Sequence, residues 1–304
     1  MASLSKIIVV GASRSGLSHL GSFIAKALHA EPQFEVTALA RNSSKSLPEG
    51  VKVIRVDDSY PQDQLEKAFA GHDAVVMATN FQVFGQEVKF IDAAIKAGVK
   101  RFIPSEFGSN TNNKNTLAIF PMMGAKARVI NELKAREHTG LSWTALCTGL
   151  FLDVGLNSGF VGFSLENHTA TIWDDGSQKF SSTPRANVAQ AVVGVLKHPD
   201  ITANQYAYIS SFETSLHEIL LALEKAQGVK YTVKHVKTED EVEDGKAKLA
   251  SGDAMKAGKL VLAANLLPGY GNNFAKEERL WNDDLGVPRE HLDAVVARIV
   301  QTGE

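Results

Sequence analysis

Along the first 150 residues the chain alternates two hydrophobic rhythms. Short apolar runs (KIIVVGA, FEVTALAR, VKVIRVD, DAVVMATN, KRFIPSE and SWTALCTG) predict strands buried on both faces. Between most of them, apolar positions recur every three or four residues. HLGSFIAKALHA carries Leu20, Phe23, Ile24, Ala27 and Leu28 on one helical face. QEVKFIDAAIKAG carries Val88, Ile91, Ala94 and Ile95, then stops at Gly98 in the usual C-terminal position. A fourth helix is predicted within FPMMGAKARVINELKAREH. Strand and helix in alternation imply an α/β fold, a doubly wound parallel sheet with right-handed connections. Its ligand would lie at the carboxyl ends of the strands.

After residue 150 the rhythm loosens. ATIWDDGSQKFSS reads as two strands joined into a hairpin by Asp174, Asp175 and Gly176. RANVAQAVVGVLKHP predicts an amphipathic helix ended by Pro199, QYAYISS a strand, and SLHEILLALEKAQG another helix. The charged, alanine-rich residues 238 to 258 predict an exposed helical pair, and a last amphipathic helix is expected over 288–301, starting at Pro288. The expected division is a nucleotide-binding domain over 1–150. A smaller mixed region over 151–304 would fold over the ligand edge and return strands and helices to the first.

The chain has 304 residues, 44% of them hydrophobic, which suffices for a sizeable core. A net charge of −2 offers no electrostatic basis for binding nucleic acid or an anionic membrane. One cysteine, Cys147, excludes an internal disulfide, and it reads as a core thiol inside an apolar strand. Residues 1–6 are too short and polar for a signal peptide, and no apolar run approaches the roughly 20 residues of a membrane span. The expectation is a cytoplasmic protein, monomer or homodimer. The nine histidines show no metal-ligand spacing, and no hydrolase motif is present.

The first strand ends in GASRSGLSHLG, with glycines at 11, 16 and 21. A strand-to-helix turn of this kind offers backbone N–H groups and a positive helix end to a phosphate. Gly11, Gly16 and Gly21 are candidates for the tight turn and close approach, with Ser13 and Ser15 as added donors. The second strand ends in ALARNSSK, where Arg41 and Lys45 occupy the place of the adenosine ribose. No acid occurs between Glu35 and Glu49. A basic residue there accommodates the 2′-phosphate of NADP, whereas an acid would hold the ribose of NAD. Arg14 could approach the same phosphate. The alternative is a solvated basic loop.

The five tyrosines, at 60, 206, 208, 231 and 270, are never followed by Lys four positions on, which excludes the Tyr–Lys pair of the main short-chain dehydrogenases. IDAAIKAGVKRFIPSEFG, followed about twenty residues later by Lys126 in GAKARVI, instead resembles the isoflavone reductase and phenylcoumaran benzylic ether reductase group. These are atypical short-chain dehydrogenases sharing the NmrA-like fold. LSWTALCTGLF and ATIWDDGSQKFSSTPRANVAQAVVGVLKHP look like the fungal branch of that group. The resemblance covers most of residues 6 to 210.

It implies a Rossmann-like sheet, NADPH/NADP+ as cofactor, and a small aromatic substrate held under a C-terminal cap. It also implies that Lys126 lies beside the nicotinamide as acid–base or carbonyl-polarising group, although by spacing alone Lys126 reads as a surface helix lysine. Further cofactor-side positions carried over are Thr79, Asn80, Gln82, Gln86, Ser105, Glu106, Phe107, Thr148 and Gly149. At Gly149 plant members have an asparagine. Phe151, Phe160, Phe163 and Trp173 are candidates for an apolar substrate pocket and equally for ordinary core. The group usually reads G-x-x-G-x-x-G in the first loop. Here either Ser18 or Gly16 takes the second glycine's place, and SRSG would enlarge the loop. The expected activity is NADPH-dependent reduction of a small aromatic or polyketide-like molecule at a conjugated C=C, carbonyl or benzylic ether carbon. The alternatives are an NADP(H)-sensing regulator without catalysis, or a non-redox isomerase or cyclase on the same scaffold.

Overall fold

The structure, a computed structural model, describes residues 4–13, 19–79, 83, 86–120, 123–253 and 256–303. In chain order the first half runs β1 (Lys6–Val10), α1 (Leu20–His29), β2 (Glu35–Arg41), β3 (Lys52–Val56), α2 (Gln62–Phe69), β4 (Ala74–Met77), α3 (Glu87–Lys96), β5 (Arg101–Ile103), α4 (Lys114–Ile119), α5 (Met123–Ala135) and β6 (Ser142–Cys147). There follow α6 (Leu152–Asn157), β7 (Phe163–Ser164), β8 (Thr169–Trp173), β9 (Phe180–Ser182), α7 (Arg185–Lys197), β10 (Gln205–Tyr208), β11 (Phe212–Thr214), α8 (Leu216–Gln227) and β12 (Thr232–Val236). The chain closes with α9 (Thr238–Ala250), α10 (Lys259–Leu266), α11 (Phe274–Glu277), α12 (Asn282–Leu285) and α13 (Leu292–Thr302).

The apolar runs assemble into a parallel sheet of seven strands in the order β10-β6-β5-β4-β1-β2-β3. β4, β5 and β6 are buried along their whole length because helices cover both faces. α1 and α7 pack on one face, where Ile7, Val9, Ile24, Leu28, Val188 and Val192 share a core. α2, α3 and α5 cover the other over Ile8, Val10, Phe69, Phe90, Ile130 and Trp143. The strand order reverses between β1 and β4, the switch point at which a parallel sheet opens a crevice at its carboxyl edge. A separate core built on β8, α8, α10 and α13 lies in the C-terminal half, with Phe163, Ile172, Phe180 and Leu260 fully buried. Among the described residues no helix is long and apolar enough to cross a membrane.

Four expectations are corrected. β8 and β9 form as strands but not as a hairpin: β8 lies between β12 and β7, and β9 pairs with β11. The turn between them is tied elsewhere. Asp174 accepts the Thr238 N–H (3.0 Å) and hydroxyl (2.6 Å), and its own N–H donates to Val236, more than sixty residues later. α7 is buried almost all round rather than amphipathic, since α12 covers the side facing away from α1; a Cβ on Gly194 would come within 2.3 Å of the Leu285 carbonyl. Residues 238 to 258 hold one helix and a 3-10 turn over Lys256–Gly258 instead of two helices. The last helix begins at Leu292, because the preceding segment is held extended: the Glu290 N–H donates to Ser211, and its carboxylate accepts from Asn187 and Arg298.

Candidate active site

At the switch point three backbones meet with no room for side chains. β1 ends in Gly11 at φ +88°, where a Cβ would stand 2.4 Å from the Ala78 carbonyl oxygen beyond β4. Gly21, in the first turn of α1, leaves 2.2 Å between its Cβ position and the Gly11 carbonyl oxygen. The helix thus seats directly on the end of the strand, as a phosphate-binding turn requires. Ser13 is the last described residue of the loop before His19. Arg14, Ser15 and Gly16, and with them the choice between the two glycine alignments, lie outside the described residues, as do Asn80 and Gln82.

Beside this turn, Ser105 donates its hydroxyl to the Thr79 carbonyl (2.8 Å), joining the ends of β4 and β5. Among the described residues the buried Thr79 Oγ1 has no hydrogen-bond partner. Gln86 stands exposed just ahead of α3, its carboxamide oxygen accepting from Lys89 (3.0 Å). Arg41 ends β2 and Lys45 follows, exposed; the Arg41 guanidinium makes no hydrogen bond among the described residues. Two features missed in the sequence shape this corner. Asp58, beyond β3, accepts the Ser43 N–H (3.1 Å), and Arg55 donates to the carbonyls of Arg41, Asn42 and Ser44. The glycine crossing, the buried Thr79 hydroxyl and the Arg41 guanidinium, whose charge also acts on Asp58, together fit a dinucleotide with an added phosphate.

Lys126 lies on α5 and donates its ammonium to the backbone carbonyl of Glu106, so the helix reaches back to the loop after β5. The Glu106 side chain turns inward. It is fully buried, accepts from the Thr111 hydroxyl (2.6 Å), and Thr111 in turn meets the Tyr206 hydroxyl at 3.4 Å. Burial pushes the Lys126 ammonium below its ordinary range, and the Glu106 carboxylate opposes that. Burial likewise raises Glu106, opposed by Lys126 and by the Thr111 hydrogen bond. Cys147 and Glu87 add smaller fields at Lys126, and burial lifts the Cys147 thiol well above its usual value.

The loop carrying Glu106 is clamped from the C-terminal half. The Asn110 N–H donates to the Asn272 side chain (2.9 Å), and its carboxamide to Glu278 (3.0 Å). Thr116 donates to the Tyr270 carbonyl (2.7 Å), and Asn115 to that of Gly269 (3.0 Å). None of these was visible in the motifs. Only the asparagine-rich runs NTNNKN and GNN marked the two loops that interlock.

The end of β6 completes the edge. The N–H groups of Thr148 and Gly149 both donate to the Gly108 carbonyl (3.1 Å each). Gly149, at φ +65°, leaves 2.1 Å between its Cβ position and the Ser181 carbonyl oxygen, so the crossing of β9 accounts for this glycine. Phe107 packs into the core under α1 and α7, with Phe151 against it. Phe151 and Phe160 line a cavity of about 210 Å³ with Leu150, Val154, Gly155, Ser158 and Val161, an almost wholly apolar wall. Phe163 and Trp173 are not on that wall. Both are buried in the C-terminal core, Phe163 edge-on to Tyr231.

The chain matches the NmrA-like family over residues 3–249. It is 39% identical over 298 residues to the oxidoreductase aprR of Aspergillus flavus, covering 97% of this chain and 99% of that protein. A solved structure of AtPrR2 with NADP+ and (+)pinoresinol superposes with a TM-score of 0.75 at 20% identity, covering 98% and 99% of the two chains. The leucoanthocyanidin reductase–NADPH complex from Vitis vinifera gives 0.75 at 17% identity, covering 98% of this chain and all of that one.

Proposed function

The chain belongs to the NmrA-like family, and from that premise we propose that it is an NADPH-dependent reductase of a small, flat, aromatic or polyketide-like molecule. The observation that carries the reading is the placement of Lys126, a desolvated ammonium fixed to the loop after β5 at the crevice edge. Gly11 and Gly21 would admit the pyrophosphate, Thr79 and Ser105 would border the nicotinamide side, and Arg41 and Lys45 would meet the 2′-phosphate. The cofactor, when bound, supplies a hydride. Lys126 holds a proton at Nζ and a positive charge where an acceptor gaining that hydride becomes negative. The cavity beside Phe151 and Phe160 presents an apolar surface, which suits an uncharged ring system.

The test is NADPH oxidation by a panel of enones, quinones and benzylic ethers, with NADPH binding measured alongside by calorimetry. Turnover of at least one acceptor class is expected. Tight NADPH binding without turnover of any acceptor would move the reading to a sensor. Product formation without NADPH oxidation would move it to a non-redox isomerase or cyclase.

The charge arrangement sets a pH dependence. The Lys126 ammonium is lost as pH rises through a value held below its ordinary range by burial, so the rate should fall on the alkaline side. Glu106→Gln removes the main opposing carboxylate and lowers the Lys126 value further. The alkaline limb of kcat/KM should therefore move to lower pH, while the Kd for NADPH holds. A limb that stayed in place, or moved upward, would show that the carboxylate does not act on Lys126.

A further inference from the structure

The geometry points to Arg55 as a specificity-determining residue for the cofactor: its guanidinium sets the loop 41–44 in the shape that directs Arg41 at the 2′-phosphate. This rests on the NADPH reading above and adds a residue that no motif contains. Arg55 is next to last in β3, the edge strand of the main sheet, while the loop it governs follows β2. Its Nη1 donates to the carbonyls of Arg41 (2.9 Å), Asn42 (3.1 Å) and Ser44 (3.2 Å), and its Nη2 donates to Ser44 as well (3.2 Å).

Three carbonyls turned toward one cation fix the backbone dipoles of residues 41, 42 and 44, which a loop of polar residues would not otherwise hold in common. The remaining groups of the loop are paired in the same sense. The Asn42 N–H donates to Val56 (2.9 Å), the Ser44 N–H to Arg41 (3.0 Å), and the Ser43 N–H to Asp58 (3.1 Å). The backbone is thereby committed on the β3 side, while the Arg41 side chain makes no hydrogen bond among the described residues. Arg55 thus spends its planar fork on carbonyls and leaves Arg41 for the ligand.

The local charge is consistent with a phosphate dianion. Arg41, Lys45 and Arg55 lie around one turn, with the Asp58 carboxylate held on Ser43 and kept below its ordinary range first by that bonding and then by the Arg41 charge. An NADH ribose would bring only hydroxyls to this corner and gain little from the cations. A clamp that shapes the loop therefore acts on NADPH alone.

The test is calorimetric binding of NADPH and NADH to wild type, Arg55→Gln, Arg41→Ala and the double variant, with no substrate present. Arg55→Gln should weaken NADPH about tenfold, the size of one charge-assisted contact, and leave NADH within about twofold. Retained NADH binding shows that the variant is folded. Because Arg55 acts through Arg41, the double variant should bind NADPH about as weakly as Arg41→Ala alone. Equal weakening of both cofactors, no weakening of NADPH, or additive losses in the double variant would each overturn the assignment. A wild type that binds NADH as tightly as NADPH would instead remove the cofactor reading beneath it, and the clamp with it.

Discussion

Lys126→Ala should lower kcat about a thousandfold, within the range of general acid catalysis, while leaving the Kd for NADPH within a few-fold of wild type. The reasoning starts from where the side chain is fixed. Its ammonium donates to the Glu106 backbone carbonyl, which holds Nζ at the loop after β5. Glu106 supplies charge from inside the protein, its carboxylate bonded to Thr111. Lys126→Arg should recover little. A guanidinium holds its proton across the working pH range and presents a planar fork where a point donor is needed. A kcat loss matched by an equal loss of NADPH affinity would make Lys126 a binding residue. Unchanged kcat would remove it from the chemistry.

Gly21→Ala should lower stability by about 2–3 kcal/mol, the cost of forcing atoms into a closed contact, and Tm by roughly 5 °C. It should also weaken NADPH at least as much as any single phosphate contact would. The added Cβ would stand 2.2 Å from the Gly11 carbonyl oxygen and 2.7 Å from its carbon, so neither a rotamer change nor a small side-chain shift relieves it. The helix must lift from the strand, and the lift opens the turn where the pyrophosphate would sit. Gly21 lies in helical backbone, so the effect is purely steric and separates from the positive-φ strain that Gly11→Ala would add at +88°. Thermal unfolding and calorimetry on the same preparation check both halves. Unaltered affinity with a normal Tm would mean that α1 does not seat on β1 in this way.

The parts of the fold legible in the sequence are those whose neighbours enclose them. Residues 7–10 of β1 and the whole of β4 are unbroken apolar runs because helices cover both sides of the sheet, and the α/β alternation alone implies the parallel order. The hairpin was misread for the opposite reason. Asp174 and Gly176 do turn the chain, but the groups that hold the turn lie in β12 and at the start of α9, beyond any local pattern. α7 shows the same limit: its outer face is covered by α12, a helix of four residues with no periodic signature.

The site divides along the same line. Gly11, Thr79 and Ser105 stood at strand ends and Gly21 and Lys126 in the helical segments, and the fold gathers them at one edge. The stretch between Glu35 and Glu49 contains no acid, yet Asp58 reaches Ser43 from the turn after β3, so acidity at that corner is not a matter of local sequence. Arg55 lay in VKVIRVD, read as a strand buried on both faces, whereas β3 is an edge strand with Arg55 exposed, and the role proposed for it depends on a loop eleven to fourteen residues earlier. Gly149 stood in the sequence as a cofactor neighbour. Its positive φ and the Ser181 carbonyl beside it give it a backbone reason of its own.

The account's central claim is that this scaffold moves a hydride from NADPH to a small acceptor with Lys126 in attendance. Incubation with [4,4-²H₂]NADPH and whichever enone or benzylic ether is turned over, acceptors that take the hydride at carbon, tests it most directly. The reduced product should carry one non-exchangeable deuterium per molecule, formed in step with NADPH oxidation and nearly absent with Lys126→Ala. A product without deuterium, or one formed while the NADPH remained unoxidised, would contradict it.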